Sequence, residues 1–275
     1  MGKILECIGG SAVAPGQTPQ VNLTMFTGNS PTIRNAPLTA DVRLIAAWTH
    51  NNVGGAFRIK SPRLHDNVEG IRLQALSLNP LPLWPLGVSQ KLIPQDTLTL
   101  DISGSAVAGA IESGFLLIAY DDCPGVAARL ASPADVLARL VNVLTVGVPC
   151  TPGITGGWSG GHALNSYTDL LKANTDYALL GYTVNTICGA VRFVGVDTGN
   201  VGVAGPGQNT VPELTASWFM RLSLLLNKPL IPILNSANRA GITVDVAQNQ
   251  AGTAVGVTAV LGEIGSAPNA TPLGT

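Results

Sequence analysis

Gly157-Trp158-Ser159-Gly160-Gly161 spells G-x-S-x-G, the turn that presents a serine nucleophile. Such a turn works when a buried strand runs into it and an acid and then a histidine follow in the chain. Here Pro152-Gly153-Ile154-Thr155-Gly156 precedes it without a strand pattern, and the only later histidine, His162, follows with no acid between. A flexible glycine loop is the expectation. His65-Asp66 offers an acid–base or metal pair, but a solvated turn suits it better; His50 stands apart, and no H-E-x-x-H pattern occurs. Asp197-Thr198-Gly199-Asn200 has oxygens for calcium but lacks the further ligands of a binding loop. In Gly202-Val203-Ala204-Gly205-Pro206-Gly207 the proline would disturb a cradle of backbone N–H groups. Asn22-Leu23-Thr24 and Asn269-Ala270-Thr271 are glycosylation sequons that matter only on a secretory route. Cys7, Cys123, Cys150 and Cys188 are widely spaced with no C-x-x-C pair, which fits free buried thiols better than zinc or disulfides. The expectation is therefore a non-enzyme with no catalytic residue, no cofactor and no metal.

The elements that would hold any site are short strands between turns. Of 275 residues, 46% are hydrophobic and only 11% charged, against about 25% in ordinary soluble domains. Either a membrane or neighbouring subunits must account for so little charge. No uncharged apolar run reaches the roughly 18 residues of a membrane helix, so subunit contact is preferred. Met1-Gly2-Lys3-Ile4-Leu5-Glu6-Cys7 has no long apolar region, so no export signal is read. The net charge of −1, without a basic run, gives no nucleic-acid signature.

Residues 1–40 are punctuated by Gly9-Gly10, Pro15-Gly16, Gly28-Asn29 and Ser30-Pro31, and read as an irregular N-terminal arm. Strands are expected at Val42–Thr49, Ala56–Lys60, Ile71–Leu76, Thr97–Ser103 and Phe115–Tyr120. They are expected again at Tyr177–Thr183, Ala190–Val196, Val201–Ala204, Ile242–Ala247 and Val255–Leu261. Between the two sets, Ser132 as N-cap and Pro133 open a helix whose apolar stripe is Val136, Leu137, Leu140, Val141 and Leu144. The stretch 210–226 is ambiguous. Pro212-Glu213 would open a helix, yet Trp218, Met220, Leu222, Leu224 and Leu226 alternate as in a buried strand, the favoured reading.

The two strand-rich halves repeat one another. With an offset of 134, residues 45–59 fall on 179–193. Thr49/Thr183, Asn51/Asn185, Gly55/Gly189, Ala56/Ala190 and Arg58/Arg192 are then identical. Leu92-Ile93-Pro94 answers Leu230-Ile231-Pro232, and Leu98–Ser103 answers Ile242–Ala247 with the same alternation. The division that follows is an arm over 1–40, a first sandwich over 41–123, a helix-bearing connection over 124–175, a second sandwich over 176–264 and a tail over 265–275. Arg58 and Arg192, placed equivalently by the repeat, are candidate subunit-contact residues; outward arginines on exposed strands are the equal alternative.

This pattern of tandem sandwiches, a helix in the connection and a leading arm resembles the double jelly-roll major capsid proteins of tailless icosahedral double-stranded DNA viruses. The resemblance spans about Asp41 to Glu263 and rests on architecture, not on a motif. It implies an all-β fold of two tandem jelly-roll-like antiparallel β-sandwiches with a short helix in the connection. It also implies homotrimers that form pseudo-hexameric tiles, and a virion assembled in the host cytoplasm. The chain itself is then the main partner, with minor coat proteins as further partners and no transmembrane segment. The alternative function is a tandem β-sandwich binding module for carbohydrate or another surface ligand. The 5% aromatic content and scattered Trp48, Trp84, Trp158 and Trp218 favour it less.

Overall fold

The computed structural model describes residues 2–17, 20–27, 31–34, 37, 40–64, 66–125, 127–151, 155–164, 171–250 and 252–265. The chain is all-β: four antiparallel sheets pack as two tandem jelly-roll-like sandwiches, with a short helix in the connection. The first copy contributes β1 (Gly2–Val13), β2 (Val42–His50), β3 (Gly55–Lys60), β4 (Ile71–Ala75), β5 (Gln90–Lys91), β6 (Thr99–Ile102) and β7 (Ile111–Cys123). The second contributes β8 (Leu140–Cys150), β9 (Asp176–Val184), β10 (Cys188–Val194), β11 (Val203–Gly207), β12 (Ile231–Asn235), β13 (Thr243–Gln248) and β14 (Val255–Ile264). Sheet I runs β1-β7-β2-β5 and sheet II runs β6-β3-β4. Sheet III runs β13-β10-β11 and sheet IV runs β8-β14-β9-β12. Each of these main strands of the first copy thus has its counterpart seven strands later, in the same place in the same kind of sheet. Two-residue strands at Val21–Asn22, Thr24–Met25, Leu130–Ala131, Gly157–Trp158 and His162–Ala163 add to the edges, so that sheets I and IV have five strands each.

The four sheets stack in the order II, I, III, IV. Phe57 of sheet II lies against Gly114 of sheet I, where an added Cβ would stand 2.7 Å from its ring. Tyr182 of sheet IV meets Phe193 of sheet III at 5.8 Å between ring centroids. Between the sandwiches, Trp48 of sheet I donates from Nε1 to the Gly189 carbonyl of sheet III at 2.9 Å. β2 and β7 are consequently buried on both faces, and one hydrophobic core runs through both sandwiches. This is why the two central strands carry almost no polar alternation.

Four expectations are corrected. First, Gly2–Val13 is not part of an irregular arm but a full strand of sheet I, paired with β7 from Gly2↔Cys123 to Val13↔Ile111. Its glycines mark close approach, not turns: a Cβ on Gly9 would stand 2.8 Å from the Phe115 ring. Second, the helix α1 spans only Pro133–Arg139, with Ser132 capping it by accepting the Asp135 N–H. Leu140, Val141 and Leu144, placed on its stripe, belong to β8, because the valine-rich run 140–148 pairs with β14. The second sandwich therefore begins inside the stretch assigned to the connection. Third, residues 212–226 form two helices, α2 (Pro212–Ala216) and α3 (Trp218–Leu226). Trp218, Phe219, Leu222 and Ser223 are buried at helical spacing, while Leu224 and Leu225 face solvent.

The fourth correction concerns register. The offset of 134 holds for β3 and β10, where Arg58↔Asp101 and Arg192↔Asp245 are paired alike. In β2 and β9 the structural offset is 135. The β-bulge falls at Ile45 in one and at Leu180 in the other, and 180 − 45 is 135. Trp48 thus corresponds to Thr183, both opposite the matching β7 and β14 residues, Phe115 and Thr258. The loop after β2 has one more residue than that after β9, which absorbs the difference. A one-residue slip reverses every side chain between faces, so Thr49 and Thr183, identical by letter, are not structural equivalents.

Candidate assembly site

Arg58 and Arg192 arise on equivalent strands, but the stack gives them different surroundings. In sheet II, Arg58 Nη2 lies 2.8 Å from Asp101 Oδ2 on the neighbouring β6, and Lys60 Nζ lies 2.7 Å from the same oxygen. Arg58 Nη1 also donates to the Val68 carbonyl at 3.3 Å. This face of sheet II points away from the first sandwich's core, with no sheet over it. In sheet III, Arg192 makes the corresponding pair with Asp245 Oδ2 through both Nε, at 3.0 Å, and Nη2. There the equivalent face is turned against sheet I. The Arg192 guanidinium sits 4.3 Å from the Trp158 ring centroid, a cation–π contact. Arg192 and Trp158 close a cavity of about 130 Å³ with Glu6, Cys7, Gly9 and Phe26 of the first copy. Burial pushes the Cys7 thiol up to about 12, with Arg192 partly offsetting it.

The junction between sheets I and III is built from backbone groups and a few polar side chains. Cys7 N–H donates to the Gly202 carbonyl at 3.1 Å, and Ser11 Oγ to the Gly156 carbonyl at 3.0 Å. Asn249 Nδ2 donates to the His50 carbonyl at 2.7 Å, and Asn249 Oδ1 accepts the Ser113 Oγ–H at 2.6 Å. Trp48 stacks on Phe115 at 5.5 Å and meets Trp218 edge-on at 6.2 Å. At the rim Lys228 Nζ bridges Asp41 and Asp121 at 2.7 and 3.1 Å. These bonds cross from one sandwich to the other and fix their relative placement, while His50 Nδ1 at the same junction has no hydrogen-bond partner.

The residues singled out for chemistry fall elsewhere. Ser159 Oγ accepts the Val246 N–H at 2.9 Å, closing the short pairing of Gly157–Trp158 with β13. His162 accepts the Thr151 N–H through Nε2. Asp197 is buried in a 3-10 turn and accepts from Asn235 N–H and Asn238 Nδ2. Gly205-Pro206-Gly207 lie in β11, an edge strand, where proline is tolerated. All four cysteines are free thiols. His65 lies outside the described residues. Among the described residues no three His, Cys, Asp or Glu side chains gather as a metal site, and no helix is long and apolar enough to cross a membrane. Sequence reading paired the two arginines but missed their aspartates, although Asp101 and Asp245 stood in strands already seen to repeat. Opposite charges at matching places on repeated strands were the available signal.

No protein-family model matches this chain, and no curated protein matches it. Among solved structures, the crystal structure of the PBSX exported protein XepA is similar over 94% of this chain and 86% of that one, at 11% identity and a TM-score of 0.27. Superposition at that level transfers neither topology nor role.

Proposed function

We propose that this chain is a structural, self-assembling shell subunit of the kind that builds viral capsids. One observation carries the reading. β8 is an 11-residue strand at the edge of sheet IV, it has no charged side chain, and its Val141 and Val143 are 63% and 49% exposed. Soluble proteins defend such edges with charge, proline or a covering element, and of the first two β8 has only Pro149, next to its last residue. An uncovered apolar edge, in a chain that is only 11% charged, is accounted for by a neighbouring subunit. The finer reading is a viral major capsid protein. Its homotrimers present six sandwiches as a pseudo-hexagonal tile of a virion assembled in the host cytoplasm, with minor coat proteins as further partners.

A binding module would need an aromatic platform open to ligand. Trp48 and Trp218 are fully buried, Trp84 Nε1 donates to the Val88 carbonyl, and Trp158 lies under Arg192. The shell reading is therefore the one advanced. Size-exclusion chromatography with light scattering, followed by electron microscopy of the purified protein, tests it. A trimer or larger particle is expected; a monomer at micromolar concentration contradicts it.

A further inference from the structure

Among the described residues, the junction inside the chain has an uncovered duplicate on its outside. On sheet I, the face that receives the second sandwich is made by Gly9 and Ser11 of β1, Trp48 and His50 at the end of β2, and Ser113 and Phe115 of β7. Their ladder is Gly9↔Phe115, Ser11↔Ser113, Trp48↔Phe115 and His50↔Ser113. On sheet IV the same ladder reads Gly147↔Thr258, Pro149↔Gly256 and Thr183↔Thr258, and Asn185 N–H donates to the Gly256 carbonyl. Those six counterparts, Gly147, Pro149, Thr183, Asn185, Gly256 and Thr258, line one shallow open groove of about 360 Å³. The contrast in crowding is direct. A Cβ on Gly189 of sheet III would collide with Phe115 of sheet I, whereas a Cβ on Gly147 of sheet IV would meet nothing within 4 Å.

What covers the sheet I face is known from the chain itself: the outer face of sheet III, which carries Gly189, Arg192 and Gly202. Its counterpart is the outer face of sheet II, with Arg58 and Gly70 in the places of Arg192 and Gly202. That face, too, has no sheet over it. We propose that the sheet IV groove docks the outer face of sheet II of a second copy of this chain, repeating between molecules the junction that joins the two sandwiches within one. This names the contact surfaces of the shell reading and rests on it.

The charges permit it. The six groove residues carry none. On the incoming face Arg58 and Lys60 already neutralise Asp101, as Arg192 neutralises Asp245 inside the chain. Ions paired before docking add little further cost when buried, and the remaining cation, Arg72 opposite Arg58, must sit at the rim of the contact. Arg58 then becomes a subunit-contact residue because it occupies between molecules the place that Arg192 occupies within one. The contact joins two different faces, so it is heterologous, and it closes into a ring or extends into a filament according to the rotation it sets.

Gly147→Trp puts bulk into the groove from a site where a Cβ meets nothing within 4 Å, and Gly241→Trp adds the same bulk at another such site. Light scattering over a dilution series reads assembly, and circular dichroism reads folding. The expected result is that G147W folds as the parent does but needs at least about tenfold more protein to assemble, while G241W assembles as the parent does. As a second measurement, Thr145→Cys and Arg72→Cys proteins are mixed under mild oxidation. Thr145 and Arg72 are the counterparts of Cys7 and Ala204, whose strands β1 and β11 touch across the junction. A covalent dimer that forms only in the mixture supports the contact. Parent-like assembly of G147W, or no cross-link in an assembled sample, overturns the docking proposal and leaves the shell reading standing. A parent protein that stays monomeric throughout overturns both.

Discussion

His50 ends β2 with its ring shut away from water, and its Nδ1 has no hydrogen-bond partner. Burial lowers its pKa from the ordinary 6.5 to about 4. Because the folded value lies below the unfolded one, neutral His50 stabilises the fold above about 6.5, and that contribution is lost as the pH falls towards 4. Its ladder counterpart is Asn185, so His50→Asn places a non-titrating group that the other copy already uses. Thermal melts of the parent should decline between pH 6.5 and 4, by up to about 3 kcal/mol from this group, and H50N should flatten that decline. Glu112 acts in the opposite sense: burial raises its carboxyl pKa, so its contribution is lost as the pH rises through that value. The difference between the two proteins isolates the histidine; an unchanged slope in H50N would refute the assignment.

Equivalent strands allow one ion pair to be compared with itself in two settings. Asp245 has Arg192 as its only ion-pair partner among the described residues, whereas Asp101 is held by both Arg58 and Lys60. Removing the partner of a buried charge costs more than the pair contributes. Arg192→Ala should therefore lose about 3–5 kcal/mol in urea unfolding, and Arg58→Ala about 1–2 kcal/mol, since Lys60 still pairs with Asp101. Equal losses would contradict the role given to Lys60 as the second cation that holds Asp101. Much at this scale was legible in the sequence. Period-two alternation in Leu98–Ser103 and Ile242–Ala247 identified β6 and β13, and the repeat identified the two arginines. β1 was missed because Gly9-Gly10 carry the same letters whether they make a turn or let Phe115 approach. β8 was misassigned because Leu140 and Leu144 satisfy a helical period that the adjacent valines and the partner strand override. For α3 the reverse held: Trp218 to Leu226 alternates by letter, but its burial follows the helix.

Across the whole molecule, the stack II, I, III, IV makes one face serve twice. Sheet I is sealed by sheet III, while sheet IV, built to the same plan, is left bare over β8 and β14 beside α2 and α3. No single-residue pattern shows this, because it depends on which faces meet, and the letters of Gly9 and Gly147 are the same. On the proposed docking, the molecule is half of a repeating contact. Hydrogen exchange over Leu140–Cys150 and Val255–Val260, followed from dilute to concentrated protein, tests that claim most directly. Protection should rise with concentration in both segments and remain constant in Gly2–Val13, whose outer face is already covered. Exchange in Leu140–Cys150 that stays the same from the most dilute to the most concentrated sample would contradict it.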